Sequence, residues 1–169
     1  MPLTYINGDA TNPIGVGVRI IPHICNDIGG WGRGFVLALS SKWKQPEREY
    51  RMWYRSGHTI DMFGHNERFS LGSVQFVDVG GGIIVANMIA QSGIYSTNGV
   101  PPIRYDSLRD CLTKVSAIAL NIGASIHAPK FGAGLAGGDW GLVESMINDA
   151  FNGIDVTVYE YDEVKNNNR

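Results

Sequence analysis

Three side chains able to position a water or carry a proton cluster at one point of the chain: His23, Asn26 and Asp27, in the run HICNDIGGWGRGF from His23 to Phe35. Histidine and carboxylate are the residue types that general acid–base chemistry uses, and an amide beside them can hold the water. Glycines follow at once, at Gly29, Gly30, Gly32 and Gly34, between the β-branched run Val18 to Ile21 and an apolar segment of helical period, Phe35 to Leu39. A glycine-rich strand-to-helix connection bares backbone N–H groups where the helix dipole attracts an anion. The loop reads as a phosphate cradle or, more simply, as a turn that reverses the chain. His23 also has two readings, a reacting group or a satisfied core histidine at the end of a buried strand.

A second loop of the same build, KFGAGLAGG, runs from Lys130 to Gly138. Two such loops, each leaving a strand and opening a helix, could grip both sides of a diphosphate. Gly132, Gly134 and Gly137 fit GxGxxG, but only one further strand follows them, so no mononucleotide-binding half can be completed there. Asp9, in GDAT, is either a turn residue or a ligand contact. Asp139 reads as a helix cap. His58 and His65 match no metal-ligand spacing, and no metal is expected.

These residues need elements to hold them. Leu3 to Asn7 and Val18 to Ile24 read as strands. Gly34 to Trp43 predicts a short helix burying Phe35, Leu37, Ala38 and Leu39, and Pro46 suits the first turn of another, whose Tyr50, Trp53 and Tyr54 form an aromatic stripe read as core. Asp61 to Ser70 reads as a surface connection. Ser73 to Val79 and Ile83 to Ala90 are strands joined by Gly80, Gly81 and Gly82 as a hairpin turn. The glycine- and serine-rich loop from Ser92 to Pro102 has the length of a binding lid. Arg104 to Asn121 is a clear amphipathic helix ended by Gly123. Ala124 to Pro129 is a strand, a helix runs from Asp139 to Gly153, and Ile154 to Tyr161 is the last strand. Strands alternating with helices imply an α/β layer fold with helices on both faces, whose ligands gather at the carboxyl ends of the strands.

With 169 residues the chain suits one domain. Its net charge is −2 and it has no lysine or arginine run, so no electrostatic footprint for nonspecific nucleic-acid binding is expected. Ile83 to Ala90, the longest nearly apolar run, is far short of the roughly 20 residues of a membrane helix. Cys25 and Cys111 sit in apolar surroundings and MPLTYI opens no signal peptide, which makes a cytoplasmic, reduced protein the expectation. The unusual count is glycine, 22 residues, and these cluster in loops, where function is to be sought.

Taken in order, GDAT, HICN…GGWGRGF, KFGAGLAGGDW and the terminal VTVYEY resemble the macrodomain family, the ADP-ribose-binding fold, over nearly the whole length. Within it the chain is most similar to the small stand-alone branch with ADP-ribose-1″-phosphate phosphatases and terminal ADP-ribose glycohydrolases. The resemblance implies a three-layer α/β/α sandwich with a central mixed sheet, one domain over 1–169 with a frayed polar tail at 163–169, a monomer, no cofactor, and ADP-ribose or an ADP-ribosylated substrate as partner. It also implies roles. Asp9 would accept from the adenine amino group, the Ala10 N–H would support the base, and Tyr159 would lie against it. Asn26 would bind the distal ribose. Trp31, Gly32, Arg33 and Gly34 would line one side of the diphosphate and Gly132, Ala133, Gly134 and Leu135 the other. The glycohydrolase branch acts through a lysine and an aspartate, where this chain has Gln91 and Ala136. Chemistry would then fall to His23, Asn26 or Asp27. The expected function is a hydrolase of ADP-ribosyl derivatives, on protein or nucleic-acid acceptors or on ADP-ribose-1″-phosphate, or else a non-catalytic reader of ADP-ribose.

Overall fold

The computed structural model describes residues 3–134 and 136–161; the contact expected at Leu135 and the tail expected at 163–169 lie outside the described residues. In chain order, β1 (Thr4–Asn7) and β2 (Arg19–Asn26) precede α1 (Phe35–Lys42), α2 (Gln45–Ser56) and the short β3 (His58–Ile60) and β4 (Asn66–Arg68). The hairpin of β5 (Val74–Gly80) and β6 (Ile83–Gln91) follows, then α3 (Tyr105–Ile122), β7 (Ser125–Pro129), α4 (Trp140–Ala150) and β8 (Val156–Glu160). The main sheet has the order β1-β8-β7-β2-β6-β5. Every pairing in it is parallel except β5 with β6, so the sheet is mixed, as expected.

The central strands explain their own composition. Side chains alternate across a sheet: Ile20, Ala86 and Met88 pack with Leu108, Leu112 and Val143 in one core, while Ile21, Val85 and Ile89 pack with Leu39, Tyr50 and Trp53 in the other. With α3 and α4 over one face and α1 and α2 over the other, neither face of β2 or β6 meets water, and both read as nearly continuous apolar runs. Two buried polar residues interrupt these runs, His23 in β2 and Asn87, fully buried in β6, whose Nδ2 donates to the Gln75 side chain (3.0 Å) and the Pro46 carbonyl (3.2 Å). Gly80, Gly81 and Gly82 all have left-handed φ, of 88°, 65° and 77°, which is the demand that makes the hairpin turn glycine.

Four local expectations are corrected. Asp61 to Ser70 is not a plain connection, because β4 lies within it and pairs antiparallel with β3, His58 opposite Arg68. The turn between them is built by Asp61, whose Oδ1 accepts from the N–H groups of Phe63 and His65. Leu37 is 53% exposed, since α1 buries Val36 and Leu39 instead. Tyr54 is 46% exposed and covers Gly29 and Phe69 at the rim, leaving Tyr50 and Trp53 as core. Finally, β2 runs two residues past the expected Ile24, so Asn26 belongs to the strand with His23 and not to the loop after it.

Candidate functional site

Because β7 pairs directly with β2 (Arg19 opposite Ser125), the two glycine loops leave neighbouring parallel strand ends and face each other across a cavity of about 440 Å³. Gly30 to Gly34 and the first residues of α1 form one wall; Lys130 to Gly132, Gly134 and Ala136 form the other. Gln91, at the end of β6, and Ile94 and Tyr95, from the loop after it, complete the lining. That loop is closed on itself by the bonds from Ser92 N–H to the Pro102 carbonyl (2.9 Å) and from Arg104 N–H to the Ala90 carbonyl (2.8 Å).

Backbone, more than side chains, shapes this cavity. Gly29 has φ +76°, and a Cβ there would stand 2.4 Å from the Tyr54 ring. At Gly138 a Cβ would meet the Gly132 carbonyl oxygen at 2.4 Å, the atom that accepts the Gly138 N–H. Gly32 and Gly134, which both line the cavity, differ, because among the described residues a Cβ on either would meet no non-adjacent protein atom within 4 Å and would enter open space. Among the described residues, the N–H groups of Gly32, Arg33, Gly34, Gly132, Ala133 and Gly134 donate to no protein acceptor. Gly34, the N-cap of α1, offers no side-chain cap, so the positive end of that helix is left to the cavity. Arg33 is exposed at the rim and makes no ion pair among the described residues. Unpaired donors on two sides, one helix terminus and one free guanidinium make a site for a dianion.

The three clustered side chains take separate places. His23 is 2% exposed, packed edge-on against Trp31, with Nε2 at 2.6 Å from Asn87 Oδ1. Asn87 gives both donated bonds to carbonyl oxygens, which turns its own oxygen toward His23 and puts the histidine proton on Nε2. Burial lowers the His23 pKa to about 4, so the ring is neutral at neutral pH. It lines the cavity as a core histidine with its proton committed inward. Asn26 also lines the cavity, but its Oδ1 accepts from the N–H groups of Ile28 and Gly30 and from the Tyr50 hydroxyl, and its Nδ2 donates to the Gly30 carbonyl. The carboxamide is the internal brace of the first loop. Asp27 stands outside the lining, with Oδ1 accepting the Gly93 N–H at 2.8 Å, and so ties the first loop to the Ser92–Pro102 loop.

Of the residues expected at the diphosphate, Trp31, Gly32, Arg33, Gly34, Gly132 and Gly134 come together here, and Ala133 does not line the cavity. Trp31 is nearly buried and donates Nε1–H to Ser40 Oγ at 2.7 Å. Asp9 and Ala10 follow the end of β1, at the same carboxyl end of the sheet but three strands from β2. There Asp9 Oδ1 accepts from the N–H and the hydroxyl of Thr11, the turn its sequence context suggests. Tyr159, 3% exposed, has its hydroxyl between the Ile14 N–H (2.9 Å) and His127 Nδ1 (2.7 Å), and its ring lies under Gly8. Sequence reasoning missed Ile94, Tyr95 and Lys130 as lining residues. Loop length pointed to the segment of the first two without singling out either side chain, and nothing in KFGAG marks the lysine, which sits 3.6 Å from Glu160 and over the Trp140 ring.

A mixed six-stranded sheet between two helix layers, with paired glycine loops at adjacent parallel strand ends, is the architecture of a macrodomain. No protein-family model matches the chain. A macrodomain protein from Streptomyces coelicolor is 45% identical, with TM-score 0.78 over 95% of this chain and 99% of its own, and this chain belongs to the macrodomain family. A protein of unknown function from Bacteroides thetaiotaomicron is 54% identical, with TM-score 0.87 over 94% of this chain and 98% of its own. The chain is 28% identical over 96% of its length to the mouse chromodomain-helicase-DNA-binding protein 1-like, of whose length it spans 18%. It also shares the fold of Thermosipho africanus DarTG, solved in complex with ADP-ribose, at 11% identity and TM-score 0.70 over 96% of this chain and 42% of that one.

Proposed function

We propose that this protein binds the ADP-ribosyl group, taking its diphosphate between the two glycine loops. The observation that carries the reading is the pair of open walls at Gly32 and Gly134, flanked by backbone N–H groups that no protein atom among the described residues accepts from. A ligand with a doubly charged bridge satisfies those donors without a metal. The order of the strands supports an extended ligand. Asp9, just past β1, and the loops after β7 and β2 lie at the same carboxyl end of parallel strands, about 14 Å apart from β1 to β2 at ~4.8 Å per strand, which leaves room for a base at one end. The DarTG complex shows that a protein of this fold is found with ADP-ribose.

Binding without turnover is the reading the side chains favour. Gln91 and Ala136 line the cavity where the glycohydrolase branch is expected to carry lysine and aspartate, His23 is neutral and turned inward, and Asn26 is occupied with its own loop. A hydrolytic reading keeps one foothold in Asp27, because its Oδ2 has no partner among the described residues, whereas Glu47, the other carboxylate linked to the first loop, is bonded to Ser40 and Arg51.

Calorimetry with ADP-ribose tests the binding. Gly134→Val sets its Cβ in open space at the cavity wall and its methyls where the diphosphate would lie, so it should abolish binding and leave the circular dichroism spectrum unchanged; normal affinity in a folded variant sinks the proposal. Incubation with ADP-ribosylated peptides, ADP-ribosylated oligonucleotides and ADP-ribose-1″-phosphate tests the chemistry. A reader leaves all three intact. Turnover that falls about 10²-fold in Asp27→Ala, at saturating ligand and with no borohydride-trapped adduct, would instead establish the Asp27 route.

A further inference from the structure

Outside the cavity, the strongest unassigned feature is charge. Between residues 33 and 57 the chain carries six cationic side chains and two anionic ones, in a protein whose net charge is −2. Four of the six, Lys44, Arg48, Arg51 and Arg55, follow one another at spacings of four, three and four along α2 and its N-cap, which places them on one helix face. They line a single open groove of about 480 Å³ together with Ser40 and Glu47. At 1.5 Å per residue the row is about 16 Å long. Its acids are partly answered: Glu47 is bonded to Arg51 at 2.9 Å and Glu49 stands 3.6 Å from Arg48, while Lys44 and Arg55 make no ion pair among the described residues.

The groove is wired to the first glycine loop. Arg51 donates Nη1–H to the Gly29 carbonyl at 3.1 Å, and Ser40 Oγ receives Trp31 Nε1–H and donates to Glu47. Tyr54, next to Arg55, is 46% exposed with its ring across Gly29, so an exposed aromatic surface lies beside the basic row, outside the groove lining.

We propose that this groove is a docking site for the phosphodiester backbone of single-stranded nucleic acid. A row of guanidinium groups suits phosphate oxygens, which they bind in planar, two-bond geometry. An exposed aromatic ring beside the row gives an unpaired base a stacking surface. A duplex offers no such base, and an acidic peptide has no use for the ring. The whole-chain charge gives no sign of the site, because the compensating acids lie elsewhere in the sequence.

The test uses the full chain and a fluorescein-labelled twelve-residue oligothymidylate, followed by anisotropy across a salt series. Three phosphate contacts on a single strand predict a slope of log affinity on log salt of about −2. The double variant Arg48→Glu/Arg55→Glu should bind at least tenfold more weakly with a shallower slope, and Arg48→Gln/Arg55→Gln should fall between it and the wild type. Both should keep the wild-type circular dichroism spectrum. ADP-ribose affinity, measured separately by calorimetry, should be the same in all three, so failure of this site and failure of the cavity reading are distinct results. The proposal is overturned by salt-independent or absent oligonucleotide binding, by equal affinity in the double variants, or by a polyglutamate peptide of the same charge competing as well as unlabelled oligothymidylate.

Discussion

His23 shows how a residue in a reactive-looking cluster can matter more for stability than for chemistry. Its pKa is about 4 in the folded protein, against an ordinary value of 6.5. Between those values the unfolded chain takes up a proton that the folded chain refuses, so stability is complete above pH 6.5 and is lost as the pH falls toward 4. One such group costs about 3 kcal/mol at most across that window. His127, also lowered to about 4 by burial and by the nearby Arg19, acts with the same sign. His23→Gln keeps an N–H donor for Asn87 but removes the titration, and the melting temperature should then fall less steeply from pH 6.5 to pH 4 than in the wild type. An unchanged slope would show that His23 does not carry the acid sensitivity. The sequence offered both readings of His23 and could not choose, because the deciding partner, Asn87, is sixty-four residues away and hidden in an apolar run. Asn26 was legible as a site residue for a different reason than the one the structure shows: its polar atoms hold the loop in shape.

Loops and helices carry the next level, and there the glycines separate into two kinds. In the second loop, Gly138→Ala would drive a methyl into the Gly132 carbonyl and cost about 1–3 kcal/mol, whereas Gly134→Ala should change stability by less than about 0.5 kcal/mol. Urea denaturation of the two variants side by side measures the difference, and equal losses would contradict the geometry. A sequence cannot distinguish these glycines, since both stand in KFGAGLAGG and only the surrounding atoms differ. Where a glycine answers a local backbone demand it was legible, as at Gly80, Gly81, Gly82 and Gly123, all with left-handed φ. Asp139 was legible too, and its Oδ1 does cap α4 through the Gly141 N–H at 2.9 Å. The pair β3 and β4 was not, because three residues a side, with Ile60 the one apolar side chain among the six, leave no period to read. Leu37 was misplaced because α1 is too short for its pattern to fix which face turns inward.

For the molecule as a whole, the site depends on two strands meeting that sequence separation alone would never bring together. The resemblance to a family supplied that meeting; residue patterns supplied only the two loops. A ligand bridging them binds the folded state alone, so ADP-ribose at one hundred times its dissociation constant should add about 2.7 kcal/mol of stability and raise the melting temperature by about 5–10 °C. Gly134→Val should show no rise, and a wild-type protein without one would show that ADP-ribose does not bind the folded chain. The same sheet order sets a timetable. On a ribosome β1 and β2 emerge before the rest of this sheet, yet among the described residues β1 pairs only with β8, and β2 gains one of its neighbours only when β7 appears. Contacts between such distant parts of a chain are slow to form. Until the segment through Ala136 is released, the second wall does not exist. A nascent chain therefore has nothing for a nucleotide to hold, and the ligand can reward folding only after folding is done.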